Sequence, residues 1–212
     1  MISVAKFTFN PYQENTYVLY DETKECIIID PGMYEQAEKD NMEDFIKNNN
    51  LKPVKLLNTH CHIDHVLGNK FIAEKYGLAL EAHEKEVEVL APVVQYGLAM
   101  GIHAEPSPSI AKFLTEQDTI QFGKSELTIL FAPGHSPGSI CFYSAADNLL
   151  IGGDVLFKMS IGRTDLPGGD HQTLLNSISN KLWKLPENTI VYPGHMEKTT
   201  IGFEKRNNPF FG

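Results

Sequence analysis

The stretch "NTHCHIDHVLGN", residues 58–69, concentrates metal-binding side chains at a single bend of the chain. Three histidines and an aspartate fall within it: His60, His62, Asp64 and His65. The short apolar run "PVKLL" precedes the bend and predicts a strand that ends just before it. Because loops at strand ends can bring distant side chains to one point, the bend predicts a site that is completed from other strand ends.

Three further candidate ligands follow predicted strands in the second half of the chain. His135 lies in "FAPGHSPGS", Asp154 closes "LLIGGD", and His195 closes "VYPGH". Imidazole and carboxylate groups suit zinc and also suit iron or manganese. The sequence therefore predicts a metal site with seven ligands, drawn from four separate parts of the chain.

The spacing of the bend divides these ligands between two divalent metal ions. His60 and His62 share one side of the turn, whereas Asp64 and His65 are carried to the other side. The first ion is therefore expected on His60, His62 and His135, the second on Asp64, His65 and His195, with Asp154 between them. Zinc is the first choice of metal, and iron or manganese are the alternatives. A water shared by two such ions is deprotonated near neutral pH and becomes a hydroxide nucleophile.

The apolar pattern along the chain predicts two successive blocks of strands followed by helices. Strands are expected at residues 2–9, 15–20 and 113–122, and helices at 35–48 and 171–185. Blocks of this kind predict an α/β fold with two mixed sheets packed together and helices outside. We expect a single domain over residues 1–212, since this length suffices for one large hydrophobic core.

The motifs THCHIDH, APGHSPGS, GGD and YPGH, in this order, resemble those of the metallo-beta-lactamase superfamily. The resemblance runs over nearly the whole chain and implies a four-layer αββα sandwich with the metals at one edge of the sheets. It also implies the same division of ligands between two ions, with Asp64 and Asp154 among the catalytic residues.

Within that superfamily, "SIGRTDLPGGDHQ" (160–172) and "GHMEKTTIGFEKRNNPF" (194–210) are most similar to the hydroxyacylglutathione hydrolase, or glyoxalase II, group and to its short bacterial members. This similarity implies hydrolysis of thioesters such as S-lactoylglutathione by a metal-bound hydroxide. Arg163 and Lys198 are the candidate substrate contacts. The Arg163 guanidinium could instead orient Asp154 or form a purely structural ion pair. The longer enzymes of the group have a C-terminal helical region that contacts glutathione, whereas this sequence ends seventeen residues after His195.

Three other functions compete with the thioesterase. A persulfide dioxygenase would hold one iron on His60, His135 and Asp154. A non-catalytic metal-binding protein would usually have a closed or incomplete ligand set. A serine hydrolase is disfavoured although "GHSPG" matches the GxSxG pattern, because Pro137 lacks the N–H that would form the oxyanion hole.

Composition restricts the partners. A formal net charge of −9 gives no electrostatic basis for binding nucleic acid or an anionic membrane, so the expected partner is a small thioester or thiol conjugate. The N-terminal residues lack a signal-peptide pattern, and three cysteines far apart in sequence fit a reducing compartment; the cytoplasm is therefore expected. The sequence carries no indication of oligomeric state.

Several neighbouring residues receive structural or supporting roles. Asp30, in "IIIDPG", could accept a hydrogen bond from a ligand histidine or could simply form the turn. Cys61 is expected to be a buried structural thiol that points away from the metals. The remaining histidines lack the strand-end context and are left outside the site: His83, His103 and His171.

Overall fold

The computed structural model describes residues 1–211, whose first half forms a six-stranded mixed sheet. Its strands are β1 (Ser3–Phe9), β2 (Glu14–Tyr20), β3 (Glu25–Ile29), β4 (Lys52–Leu57), β5 (Leu80–Ala82) and β6 (Ile110–Phe113). They are adjacent in sequence order. The pairs β1–β2 and β2–β3 are antiparallel, whereas β3 to β6 run parallel to one another.

The second half forms another six-stranded mixed sheet and a short two-stranded ribbon. Its strands are β7 (Thr119–Phe122), β8 (Ser125–Phe131), β9 (Ile140–Ser144), β10 (Leu149–Gly153), β11 (Leu156–Phe157), β12 (Ser160–Ile161), β13 (Ile190–Pro193) and β14 (Thr199–Thr200). The sheet order is β14-β13-β10-β9-β8-β7, and β11 pairs with β12. Only the β10–β13 pair of this sheet is parallel in the described part of the chain.

Within residues 1–211 the structure has seven α-helices. They are α1 (Gln36–Asn48), α2 (Ile63–Val66), α3 (Asn69–Tyr76), α4 (Val87–Leu90), α5 (Val93–Ala99), α6 (His171–Asn180) and α7 (Ile201–Asn207), with short 3-10 turns at Glu84–Glu86, Leu182–Lys184 and Pro209–Phe211. Among residues 1–211, none of the helices combines the length and the apolar character needed to cross a membrane.

The hydrophobic core has three layers because strand residues alternate between the two faces of each sheet. Tyr17 and Leu19 of β2 face the other sheet, whereas Val18 between them faces α1. The layer between the sheets also contains Ile27, Ile29, Leu57, Ile120, Leu127, Ile129, Ile140, Phe142, Leu149 and Ile151. The outer layers lie beneath α1 and α3 on one sheet and beneath α6 and α7 on the other. The predicted four-layer αββα sandwich is therefore confirmed.

The predicted strand over residues 113–122 is wrong in one respect. β6 ends at Phe113 in the first sheet, and β7 begins at Thr119 in the second. Between them, the Asp118 carboxylate accepts hydrogen bonds from the Thr115 N–H and hydroxyl, both at 2.8 Å. This side-chain turn transfers the chain from one sheet to the other at the polar residues 115–118, which lie inside the predicted strand.

Backbone hydrogen bonds tie the two sheets together at the edge where the ligand-bearing strands end. The Asn15 N–H donates to the Gly194 carbonyl at 2.7 Å, and the Ile140 N–H donates to the Thr59 carbonyl at 2.9 Å. The buried Tyr17 hydroxyl donates to the Pro193 carbonyl at 2.7 Å. The loops that carry the candidate ligands are thus fixed relative to one another by the sheets themselves.

Asp21, at the other end of β2, joins the two sheets through a buried carboxylate. It accepts hydrogen bonds from the Thr23 N–H at 2.9 Å, the Lys124 N–H at 2.7 Å and the Ser125 hydroxyl at 2.8 Å. Burial alone would raise the pKa of Asp21, but these hydrogen bonds outweigh it and lower the pKa to about 2.

We predict that Asp21→Asn destabilises the fold by about 1–3 kcal/mol, because the amide cannot accept all of these hydrogen bonds. A folded-state pKa below the usual 3.8 means that the stabilising effect is complete above about pH 4 and is lost as the pH falls towards 2. Urea denaturation should therefore show a large difference between wild type and variant at pH 6 and a smaller one at pH 3. An equal difference at both pH values would contradict this account.

Candidate functional site

Three imidazoles from two loops meet at the edge of the sandwich. His60 and His62 lie in the bend between β4 and α2, and His135 follows β8. The His135 Nε2 atom is 2.8 Å from His62 Nδ1 and 3.2 Å from His60 Nε2. These three residues, which we call the first triad, therefore present three ring nitrogens to one point.

Asp64, His65 and His195 form a second triad next to the first. The His195 Nε2 atom is 3.1 Å from Asp64 Oδ2, and His65 Nε2 is 3.7 Å from the same oxygen. His195 arrives from the end of β13, where it also makes an isolated β-bridge with Glu14 at the start of β2. The potential donor atoms of each triad all lie within 4.8 Å of one another.

Asp154 lies between the two triads, at the end of β10. Its Oδ2 atom is 3.6 Å from His135 Nε2 of the first triad, and its Oδ1 atom is 3.5 Å from His65 Nε2 of the second. The Asp154 carboxylate can occupy this position because residue 194 is glycine: a Cβ at that residue would lie only 2.1 Å from Asp154 Oδ1. The two carboxylate oxygens are therefore shared between the triads.

Four of the site histidines use their Nδ1 atoms for hydrogen bonds to the surrounding protein. The acceptors are the Thr59 hydroxyl for His60 (3.1 Å), the Asp30 carboxylate for His65 (3.2 Å), the Arg163 carbonyl for His135 (2.8 Å) and the Gln13 carbonyl for His195 (3.2 Å). Since a neutral imidazole carries one N–H, donation from Nδ1 leaves the Nε2 lone pair directed at the centre. This is the arrangement that metal-binding histidines require.

Asp30 makes the hydrogen bond to a site histidine that the sequence indicated, and it forms the turn as well. Its φ angle of 50° is in the left-handed region. Its carboxylate also accepts from the Thr59 N–H at 2.7 Å and the Thr59 hydroxyl at 2.6 Å. One buried carboxylate therefore orients His65 directly and His60 through the hydroxyl of Thr59.

The imidazoles of the first triad are neutral at physiological pH. Burial lowers the pKa of His60 well below its usual value and lowers the pKa of His62 to about 3. Burial also lowers the pKa of His135, although the carboxylate of Asp154 partly opposes this effect. Neutral imidazoles have free lone pairs, so the first triad is ready to bind a metal without losing protons.

In the second triad, by contrast, the pKa of a histidine is raised. Burial lowers the pKa of His65, but the carboxylates of Asp64 and Asp154 outweigh it and raise that pKa well above the usual value. Burial raises the pKa of Asp154, but the charge of His65 outweighs it and the pKa is lowered. Two ionised carboxylates therefore favour positive charge at this position, which a proton on His65 or a metal cation would supply.

The donor atoms fit a pair of metal ions. His65 Nε2 and Asp154 Oδ1 are buried and have no hydrogen-bond partner within residues 1–211. Tetrahedral ligands about 2.0–2.2 Å from a zinc ion lie roughly 3.3–3.6 Å apart. The donor pairs given above are 2.8–3.7 Å apart, and all donor atoms of each triad lie within 4.8 Å of one another. The two clusters are therefore compatible with a dinuclear metal site.

The two candidate substrate contacts lie away from the centre. The exposed Arg163 guanidinium forms an ion pair with the Asp165 carboxylate, at 2.7 and 2.8 Å, so Arg163 makes the structural ion pair considered above. Only the backbone carbonyl of Arg163 reaches the site, where it accepts from His135. Lys198 is exposed and lines a shallow surface groove with Thr200 and Phe203. Neither side chain is brought against the triads.

The remaining candidates occupy the places expected of them. Cys61 is fully buried in a cluster with Val66 and Ala82. The three histidines left outside the site, His83, His103 and His171, belong to none of the possible metal clusters found in residues 1–211.

Several supporting residues carry no signal in the sequence. The carbonyls of Gln13 and Arg163 orient histidines, but every residue has a carbonyl. Of these supporting residues, only Thr59 has a position in the sequence that could have indicated its role, because it directly precedes His60.

Tyr12 lies on the open side of the site, where burial and the charge of Asp64 raise the pKa of its hydroxyl.

Comparison with known proteins assigns this geometry to a family. The family model described as the metallo-beta-lactamase superfamily matches residues 9–195. The probable metallo-hydrolase YqgX of Bacillus subtilis is 40% identical over 201 residues, covering 94% of this chain and 93% of that protein. The hydroxyacylglutathione hydrolase GloC of Haemophilus influenzae is 34% identical over 206 residues, covering 94% and 93% respectively.

Solved structures agree over the full length. The BLEG-1 B3 metallo-beta-lactamase superposes with a TM-score of 0.89 at 38% identity, covering 100% of this chain and 99% of that one. TTHA1623, in a di-iron-bound form, superposes with a TM-score of 0.87 at 34% identity, covering 98% and 100%.

We predict that removal of metal with a chelator lowers the melting temperature of the protein. Bound cations offset the negative charges of Asp64 and Asp154, and a metal at 100 times its Kd stabilises the fold by about 2.7 kcal/mol. For a chain of this size that corresponds to roughly 5–10 °C. Scanning calorimetry before chelation, after it and after zinc is restored would measure the effect. Asp21→Asn, at the other end of β2, should show the same shift, and an unchanged melting temperature would contradict the prediction.

Proposed function

This chain belongs to the metallo-beta-lactamase superfamily and is a metallo-hydrolase of that superfamily, and we propose that it hydrolyses thioesters of the hydroxyacylglutathione type with two divalent metal ions. The reaction consumes one water: a C–O bond forms, the C–S bond breaks, and the products are a carboxylate, a thiol and a proton. Zinc is the metal proposed first. Iron is the alternative, since the similar protein TTHA1623 has a di-iron-bound form.

The observation that carries the proposal is a complete second triad with Asp154 between it and the first. A persulfide dioxygenase would need only His60, His135 and Asp154. Here Asp154 Oδ1 is also 3.5 Å from His65 Nε2, and Asp64 Oδ2 is 3.1 Å from His195 Nε2. These additional groups offer a place for a second ion, which favours the dinuclear hydrolase over the dioxygenase.

The residues of the site would bind the two ions and keep the site negatively charged. When bound, two divalent ions supply Lewis acidity and lower the pKa of water towards neutrality. The first triad offers neutral nitrogens, and Asp64 and Asp154 stay ionised because their pKa values are lowered despite burial. These carboxylates keep the site favourable for cations.

The open side of the site determines how a substrate approaches. The side chains of Asp64 and His195 are 15% and 20% exposed, whereas those of His60 and His65 are fully buried. A thioester carbonyl would therefore enter past Asp64 and His195.

The substrate class is supported by the similarity to GloC and by the sequence around the site. GloC is a hydroxyacylglutathione hydrolase that aligns over 94% of this chain. A small-molecule substrate also suits the net charge of −9, which disfavours nucleic acid. We propose the cytoplasm as the site of action, because all three cysteines are free and buried.

We predict that the metal-loaded protein hydrolyses S-lactoylglutathione and that His65→Ala reduces kcat by more than about 100-fold, which exceeds the usual effect of residues that only support ligands. Hydrolysis can be followed by the loss of thioester absorbance, with metal content measured on the same sample. His171→Ala is the matched control, since His171 is an exposed histidine outside the triads. Circular dichroism would verify that both variants are folded.

The same samples should be offered a β-lactam, because the chain is also similar to the BLEG-1 B3 metallo-beta-lactamase. Oxygen uptake on a glutathione persulfide would test the dioxygenase. Thioester hydrolysis with close to two metals per chain supports the proposal. Oxygen consumption with one iron per chain, or β-lactam hydrolysis without thioester hydrolysis, would refute it.

A further inference from the structure

Glu86 is a buried carboxylate close to the first triad that is not itself a candidate ligand. It ends the 3-10 turn that follows β5, and its side chain is completely inaccessible to solvent. Burial of a carboxylate is unfavourable unless hydrogen bonds compensate it. The groups that compensate Glu86 come from two separate loops of the site.

Both oxygens of Glu86 are used. Oε2 accepts a hydrogen bond from the Cys61 N–H at 2.7 Å. Oε1 accepts from the Ser136 hydroxyl at 2.5 Å and from the Gly138 N–H at 2.7 Å. Hydrogen bonds to an ionised acceptor are short and strong, as these are.

These donors are adjacent to the ligands of the first triad. Cys61 lies between His60 and His62, and Ser136 directly follows His135. A single carboxylate therefore joins the backbone of the bend after β4 to the loop after β8. The two loops supply the ring nitrogens that approach one another to 2.8 Å.

Gly138 shows that this approach is built into the loop. A Cβ at Gly138 would lie 2.7 Å from Glu86 Oε1 and 2.8 Å from its Cγ. Contacts this short are not tolerated, so any other residue at 138 would push the carboxylate away. The absence of a side chain at Gly138 therefore allows Glu86 to pack against the loop after β8.

We propose that Glu86 is a positioning residue that sets the geometry of the first metal site by holding the two histidine loops together. The proposal rests on the metal centre of the proposed function. It does not require Glu86 to touch a metal or the substrate. A carboxylate is needed because its two oxygens must accept from three donors; an amide in the same place would direct its own N–H groups at one of the loops.

The test is Glu86→Gln, which keeps the shape of the side chain and removes one acceptor. Metal-free protein would be titrated with Co²⁺, whose visible absorbance reports on the geometry of its ligands, in competition with a chelator of known affinity. Wild type should bind two equivalents. In the variant, one equivalent should bind about 10–100-fold more weakly, with an altered spectrum, while the other is unchanged. The kcat for thioester hydrolysis should fall with little change in KM.

Asp21→Asn is the matched control. Asp21 is also a buried carboxylate that accepts from backbone and hydroxyl donors, and a Cβ at Gly123 would lie 2.4 Å from it. Both variants should lose stability, but only Glu86→Gln should lose affinity for Co²⁺. Ser136→Ala removes one donor to Glu86 and should lower the affinity for the same equivalent of Co²⁺ to a smaller degree. This second variant still tests the role of Glu86 if Glu86→Gln does not fold.

The outcomes separate this inference from the proposed function. Equal Co²⁺ affinities in Glu86→Gln, Ser136→Ala and Asp21→Asn would overturn the role of Glu86. Wild type that binds two equivalents but does not hydrolyse the thioester would refute the proposed substrate class, while the affinity of the variants would still decide the role of Glu86. Wild type that binds no Co²⁺ would overturn both.

Discussion

The gathering of five imidazoles and two carboxylates, most of them shielded from water, at one edge of the sandwich is the constraint on which the rest of the site depends. Such groups are costly to remove from water unless every polar atom has a partner. The outward nitrogens of His60, His65, His135 and His195 have protein acceptors, whereas the inward atoms converge. A centre of this kind is stabilised by cations, which replace the lost hydration of the inward atoms.

The scaffold meets this constraint with carboxylates placed behind the ligands. Asp30 fixes the orientation of His65 and, through Thr59, that of His60. Glu86 holds the bend after β4 against the loop after β8. The sheets supply the remaining restraint, since backbone hydrogen bonds join their strand ends directly. The ligands therefore come from loops, but their positions are determined by rigid elements beneath them.

The sequence predicted two packed mixed sheets with helices outside and the seven residues that converge, because both depend on local patterns: the apolar pattern along strands and helices, and the histidines and aspartates at the strand ends. The four-layer αββα arrangement came from the resemblance to the superfamily. It did not reveal the supporting contacts. Gln13 and Arg163 contribute carbonyls, which no residue type identifies, and Glu86 is separated by many residues from the loops that it joins. The passage from β6 to β7 was also missed, because the polar residues 115–118, which form the turn at Asp118, lie inside the predicted strand. These features arise from tertiary contacts rather than from local sequence.

Anomalous diffraction from crystals of the metal-loaded protein, recorded on both sides of the absorption edge of the bound metal, would test the central claim most directly. We expect two peaks of comparable height, one within the first triad and one within the second, with Asp154 between them. A single peak within the first triad, with His65 still hydrogen-bonded to Asp30 but no density between it and Asp64, would contradict a two-metal hydrolase.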